Sequence, residues 1–182
     1  MFKFPFRRAS LLLLAATLLG APSLAAPVFP VIKGYGGMQP IVGTAERPDK
    51  ALRYRVVFNV TKAPSASGKI DSTLDRMARF INLLGADGVR PDRGDLVAIV
   101  HGGATSSIMT DKAHRAKFGV ANPNIELIAR LRAAGAEVHV CSQALAGNKI
   151  AKDAVNSAVQ IDAAALTTLA NLQLRGYAMI PD

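Results

Sequence analysis

Residues 95–101 read Asp-Leu-Val-Ala-Ile-Val-His, an unbroken apolar run closed at each end by a polar residue. A strand with one wet face alternates polar and apolar side chains, so an unbroken run must be covered on both faces. This stretch therefore predicts a central strand of a parallel sheet. It ends at His101, where Gly102-Gly103 breaks it. Such a strand needs helices above and below it, and the rest of the chain must supply them.

The flanking sequence does so. Residues 53–60 are β-rich and predict the first core strand. Ser72-x-x-Asp75 resembles a capping box. After it, Leu74, Met77, Ala78, Ile81 and Leu84 fall on one helical face, and Gly85 closes the helix. Residues 105–118 are weakly helical. Asn122-Pro123-Asn124 supplies an N-cap and a first-turn proline for a second helix, carried by Ile125, Ile128 and Leu131 to Gly135. Residues 136–141 then predict a strand with Val138 and Val140 on one face and Glu137, His139 and Cys141 on the other. Ala144 to Lys149 reads as a loop, followed by a helix near 147–156 and a short strand at 159–161. Asp162 is expected to cap a last helix running to Gly176, and residues 177–180 to form a terminal strand. Strands alternating with helices predict an α/β fold with helices on both faces of the sheet.

The N-terminus is set apart from this pattern. Lys3, Arg7 and Arg8 precede an apolar run, Leu11 to Leu19, and Ser23-Leu24-Ala25 offers a small-x-small cleavage site. The run is shorter than the roughly 20 apolar residues a spanning helix needs. Residues 1–25 are therefore expected to be a signal peptide, which places the mature chain in the periplasm with no integral membrane segment. Residues 26–50 carry Pro27, Pro30, Gly34, Gly36, Gly37, Pro40 and Pro48 and predict an extended arm whose apolar residues dock on a neighbouring face or subunit. Residues 51–182 form the folded domain. Without Lys3, Arg7 and Arg8 the formal charge of +9 falls by three to +6. The remaining basic residues are scattered and not interleaved with aromatics, so no nucleic-acid partner is expected.

The chain has a single cysteine, Cys141, and no internal disulfide is possible. With three histidines and no ligand-spaced motif, it is expected to hold neither a metal nor a cofactor. His101-Gly102-Gly103 resembles an esterase oxyanion loop, but the chain contains no G-x-S-x-G elbow, and no dinucleotide fingerprint follows the first strand. The remaining candidates gather at the carboxyl ends of the predicted strands, the edge where open α/β sheets hold ligands. Cys141 and His101 are the candidate reactive residues, the cysteine as thiolate and the histidine as acid or base. Asn59, Gly102, His139 and Gln143 are candidate substrate contacts beside them. The opposing reading is that Cys141 is a small buried hydrophobe, that His139 is a half-buried sheet residue, and that Asn122 and Asn124 are explained by capping alone.

The chain resembles the DsrE/DsrF-like family, in particular its exported branch. The resemblance rests on Tyr54 to Val60, Val97 to Gly102, Asn122-Pro-Asn124 with Leu127 and Leu131, Gly135 to Cys141 with Gln143, and Ala165 to Gln173 with Gly176-Tyr177. It implies a three-layer α/β/α fold with a mostly parallel sheet of about five strands. It also implies a homo-oligomer (trimer or hexamer), and a single cysteine, here Cys141, that carries sulfur as a persulfide between donor and acceptor proteins. Ser142 stands where many relatives have Gly, and His114 where an aromatic is more usual. Two functions remain open at this point: sulfur carriage through Cys141, or a small-ligand-binding or interaction protein with an inert cysteine.

Overall fold

Hydrophobic runs at β1 (Val56–Val60), β2 (Leu96–Val100) and β3 (Glu137–Cys141), with short edge strands β4 (Gln160–Asp162) and β5 (Ala178–Ile180), form one sheet in the order β4-β3-β2-β1-β5. Every pairing is parallel. These positions come from a computed structural model that describes Met1 and residues 25–182. Apart from Met1 and Ala25, the expected signal segment lies outside the described residues. Among the described residues no helix is long and apolar enough to cross a membrane.

Five α-helices connect the strands: α1 (Ser72–Ala86), α2 (Asp111–Phe118), α3 (Ile125–Ala133), α4 (Ser142–Gly147) and α5 (Ala165–Leu174). From β1 to β4 each strand lies beside the last, always in the same direction. Right-handed crossovers then put α1 and α3 on the same face. There Leu74, Met77, Ile81, Leu127, Ile128 and Leu131 bury against Phe58, Val60, Ala98, Val138 and Val140. From β4 the chain must return across the sheet to β5, beyond β1, and α5 makes that return on the opposite face. Val57, Val97, Ile99 and Cys141 pack there against Ala165 and Leu172. Helices on both faces of an all-parallel sheet give the expected three layers.

The central strands lie where the sequence places them, while several other boundaries differ, each for a local reason. The cap of α1 is Asp71, which accepts from the Thr73 and Leu74 amides; Asp75 instead accepts from the Gly36 amide. Residues 105–118 divide into a 3₁₀ segment, Gly102–Ile108, and α2. No helix spans 147–156. Helix α4 begins at Ser142, directly after β3, because the Cys141 sulfur caps it, and only a 3₁₀ turn at Lys152–Ala154 follows. Asp162 does not cap α5: it ends β4 and its carboxylate is taken by His139 and Thr168, so the helix starts at Ala165 without a side-chain cap.

The proline- and glycine-rich arm folds back on its own chain. A bridge between Val28 and Met38 closes a lobe over α1. Asn82, fully buried, accepts from the Val31 and Ile32 amides and donates to the Tyr35 and Gly36 carbonyls, all within 2.8–2.9 Å. One side chain thus satisfies four backbone groups that have no partner in regular structure. Gly36 sits at φ +58, and a Cβ there would lie 2.1 Å from the Arg79 amide nitrogen, so the lobe can approach α1 only with glycine at this position.

Candidate functional site

Strand alternation fixes which side chains share a face. Val56, Phe58 and Val60 point to the α1–α3 side, so Asn59 points to the α5 side. By the same count His101, His139 and Cys141 lie on the α5 side, at or near the carboxyl ends of three adjacent strands. The pairing of Val100 with Val140 makes His101 and Cys141 neighbours across the sheet.

Cys141 has extended dihedrals and turns the chain straight from strand to helix, and its Sγ accepts the Ala144 amide at 3.4 Å. Its side chain lies in the second apolar cluster with Val97, Ile99, Ala165 and Leu172, and the residue is only 5 % exposed. Ser142 Oγ donates to the Ala163 carbonyl at 2.7 Å, tying the start of α4 to the segment leading into α5. Gln143 Nε2 reaches the same carbonyl at 3.4 Å.

His101 Nε2 is 2.7 Å from Asn59 Oδ1, which brings two of the expected site residues together. Burial pushes the His101 imidazole below its usual range, and the carboxylate of Asp182 offsets part of that shift. His139 is engaged elsewhere: Nδ1 faces Asp162 Oδ2 at 2.9 Å and Nε2 faces Glu137 Oε2 at 3.2 Å. Both ring nitrogens being occupied, His139 is a strand-to-strand brace and not a partner of the thiol. Gly102, at φ +56, opens the 3₁₀ segment, and its carbonyl accepts from Thr105 Oγ1 at 2.7 Å. Its role here is a turn.

A second polar group at the same sheet edge was not anticipated from the sequence. Asn124 makes no cap bond. Its Oδ1 accepts the Asp71 amide at 2.8 Å, while Asn122 Oδ1 accepts the Asn124 amide and Asn122 Nδ2 donates to the Ser107 and Met109 carbonyls. Ser107 Oγ donates to Asp71 Oδ2 at 2.8 Å. Burial pushes the Asp71 carboxyl above its usual range, although the amides of Leu74 and Thr73 and the Ser107 hydroxyl work against that shift. This buried network joins the β1–α1 loop, the 3₁₀ segment and the start of α3. It underlies a cavity of about 310 Å³ whose lining includes Pro64, Ser106, His114, Lys117, Phe118 and Asn148. Nδ1 of His114 lies 2.9 Å from the Val120 carbonyl, and its ring packs on Phe118. The only sequence signal for this network was the Asn-x-Asn spacing, which capping alone appeared sufficient to explain.

No grouping of His, Cys, Asp and Glu able to hold a metal ion occurs among the described residues. At this sheet edge the groups that can act chemically include the Cys141 thiol, the His101 imidazole and their hydrogen-bond partners.

Solved structures share this architecture. MTH1491 of Methanobacterium thermoautotrophicum, a protein of unknown function, superposes with a TM-score of 0.53 at 18 % identity, over 71 % of this chain and 99 % of that one. YchN of E. coli gives a TM-score of 0.48 at 17 % identity, over 71 % and 99 %. No curated protein matches the sequence. The first likeness speaks to the fold alone, an all-parallel five-stranded sheet between helices. The sequence adds the rest: residues 53–181, from the lead-in to β1 to the end of β5, match the model of the DsrE/DsrF-like family, and the chain belongs to that family.

Proposed function

We propose that the protein carries sulfur as a persulfide on Cys141, receiving it from one thiol compound and passing it to another. The observation that carries this reading is the seat of the chain's sole thiol: at the carboxyl end of a central parallel strand, with Sγ accepting a backbone N–H, in a member of the DsrE/DsrF-like family. The anionic form of sulfur is the form that attacks. The Cys141 thiolate attacks the outer sulfur of a donor persulfide, R–S–SH. A new S–S bond forms at Cys141, the donor S–S bond breaks, and the electron pair leaves on the donor as R–S⁻. Handing the outer sulfur to an acceptor thiolate reverses these roles. No net oxidation occurs and no metal is used. In this reading His101, one strand away and hydrogen-bonded to Asn59 through Nε2, accepts a hydrogen bond from the bound S–SH at its other ring nitrogen.

The burial of Cys141 favours a second reading, an interaction or small-ligand-binding protein in which the cysteine is packing. Alkylation separates the two. In the carrier reading, native Cys141 reacts with iodoacetamide at a measurable rate, and Ser142→Ala, which removes the shorter of the two side-chain hydrogen bonds to the Ala163 carbonyl, speeds the reaction severalfold without lowering global stability by more than about 1 kcal/mol. If native protein is alkylated only at the rate of global unfolding, in both forms, Cys141 is core and the second reading stands.

Two further features belong to the proposal. Among the described residues the ten-residue α5 is the main cover of this face of the five-stranded sheet, and Leu166 and Leu174 on it are 82 % and 86 % exposed. We read this surface as the contact of a homo-oligomer. The basic, apolar and small-residue order of residues 1–25 supports export to the periplasm.

A further inference from the structure

The chain leaves β1 toward β2 by way of α1 and returns to the other side of β1 by way of α5, on opposite faces, so the order of the sheet reverses between β1 and β5. In open parallel sheets the crevice beyond the carboxyl ends of the strands at such a point is a natural ligand position. Here it is a cavity of about 280 Å³ lined by Lys62, Thr73, Asp75, Arg76, Arg79 and Asp182, among others.

One carboxylate occupies it. Asp182 Oδ2 accepts from the Thr61 amide at 2.9 Å, the Lys62 amide at 2.5 Å and Thr61 Oγ1 at 2.6 Å, and Oδ1 accepts from Thr73 Oγ1. Burial pushes this carboxyl up, but the hydrogen bonds from Thr61, Thr73 and Lys62 outweigh it and hold the group well below the usual carboxylate range. The donors do not depend on Asp182 for their placement. Thr61 and Lys62 follow β1 directly, and Thr73 is in the first turn of the fifteen-residue α1. Arg76 adds a guanidinium that donates to the Pro181 carbonyl and keeps a buried Nε with no partner among the described residues. Of the charged groups lining the crevice, Asp75 is engaged by Arg79 and the Gly36 amide, so Lys62 and Arg76 leave the crevice cationic once Asp182 is removed. Asp182 itself arrives from β5, a three-residue edge strand, the part of a sheet most easily detached.

We propose that this crevice is a binding site for a small ligand bearing an anionic oxygen group, a carboxylate or a tetrahedral oxyanion, and that the Asp182 side chain is its built-in occupant, displaced when the ligand binds. The site is separate from Cys141, and nothing in it depends on sulfur chemistry.

The test is a titration of the Thr61 and Lys62 amide resonances of the full chain with acetate and, separately, with phosphate, for the wild type, Asp182→Asn and Asp182→Ala. In the alanine variant both amides shift saturably, at a ligand concentration about tenfold or more below that needed by the wild type, where the tethered carboxylate competes at an effective concentration on the order of millimolar. The asparagine variant, which keeps an acceptor oxygen but no charge, falls between, and it carries the test if the alanine variant fails to fold. Adding Thr73→Val to either variant weakens the response. A response to acetate alone makes the ligand a carboxylate, and to phosphate alone a tetrahedral oxyanion. Absence of a saturable shift with both anions, or equal affinity in wild type and variants, overturns the proposal.

Discussion

His101 is held between two influences, burial that lowers its proton affinity and the Asp182 carboxylate that raises it. A base whose folded pKa lies below its unfolded value binds its proton more weakly in the native state. Its contribution to stability is therefore fully present above about pH 6.5 and is lost as the pH falls from there through the folded value. Asp182→Asn removes the influence that raises His101. The NMR titration midpoint of His101 is expected to move to lower pH in that variant, and unfolding midpoints in urea to fall more steeply between about pH 6.5 and about pH 5, above the range in which the Asp182 carboxyl itself titrates. An unchanged midpoint would show that the Asp182 carboxylate does not reach His101. At this scale the sequence is legible where periodicity governs: alternation puts His139 and Cys141 on one face of their strand, and the strand ends bring Asn59, His101 and Cys141 to one edge of the sheet. It was not legible where a partner is remote. Nothing near Asp182 announces a bond to Thr61, 121 residues away, nor anything near His139 the carboxylate of Asp162.

Among the elements, the arm depends most on a single side chain. Removing Asn82 leaves the Val31 and Ile32 amides and the Tyr35 and Gly36 carbonyls to find water or go unpaired. Asn82→Ala is expected to cost about 2–4 kcal/mol in urea unfolding and to abolish hydrogen-exchange protection at Val31 and Ile32. Retained protection at both amides would show that the lobe is held by other contacts. The density of prolines and glycines marks the arm as neither helix nor central strand, and its apolar residues point to docking, while the bridge of Val28 with Met38 folds it into a lobe and not an extended run. That it docks on α1 of its own chain rests on Asn82, a polar residue within the apolar last turns of that helix, which pattern reading passes over. Helix α4 is the opposite case. The stretch after Cys141 has too few apolar residues to show a period, so its start was misplaced. It is set instead by a sulfur cap, which residue preferences for N-caps do not include.

For the whole molecule, the strand order carries the larger consequence. Stepping from β1 to β4 in one direction puts two long crossovers on one face and leaves the other to α5. The parallel sheet and its layers followed from the unbroken apolar strands. The order did not, because no residue encodes which edge β5 joins. The exposed leucines of α5 are where the proposed assembly is decided. Leu166→Glu with Leu174→Glu is expected to convert the oligomer to a monomer by light scattering with the helical content unchanged, while an unaltered mass would remove this surface from the interface.

The measurement closest to the central claim is the intact mass of the native mature protein after brief exposure to polysulfide and removal of excess reagent. Persulfide carriage predicts added mass in steps of about 32 Da, the mass of one sulfur atom, lost on treatment with a small thiol acceptor and absent from Cys141→Ser. A native protein that keeps its unmodified mass, and gains sulfur only once unfolded, would contradict carriage and leave Cys141 as part of the core beneath α5.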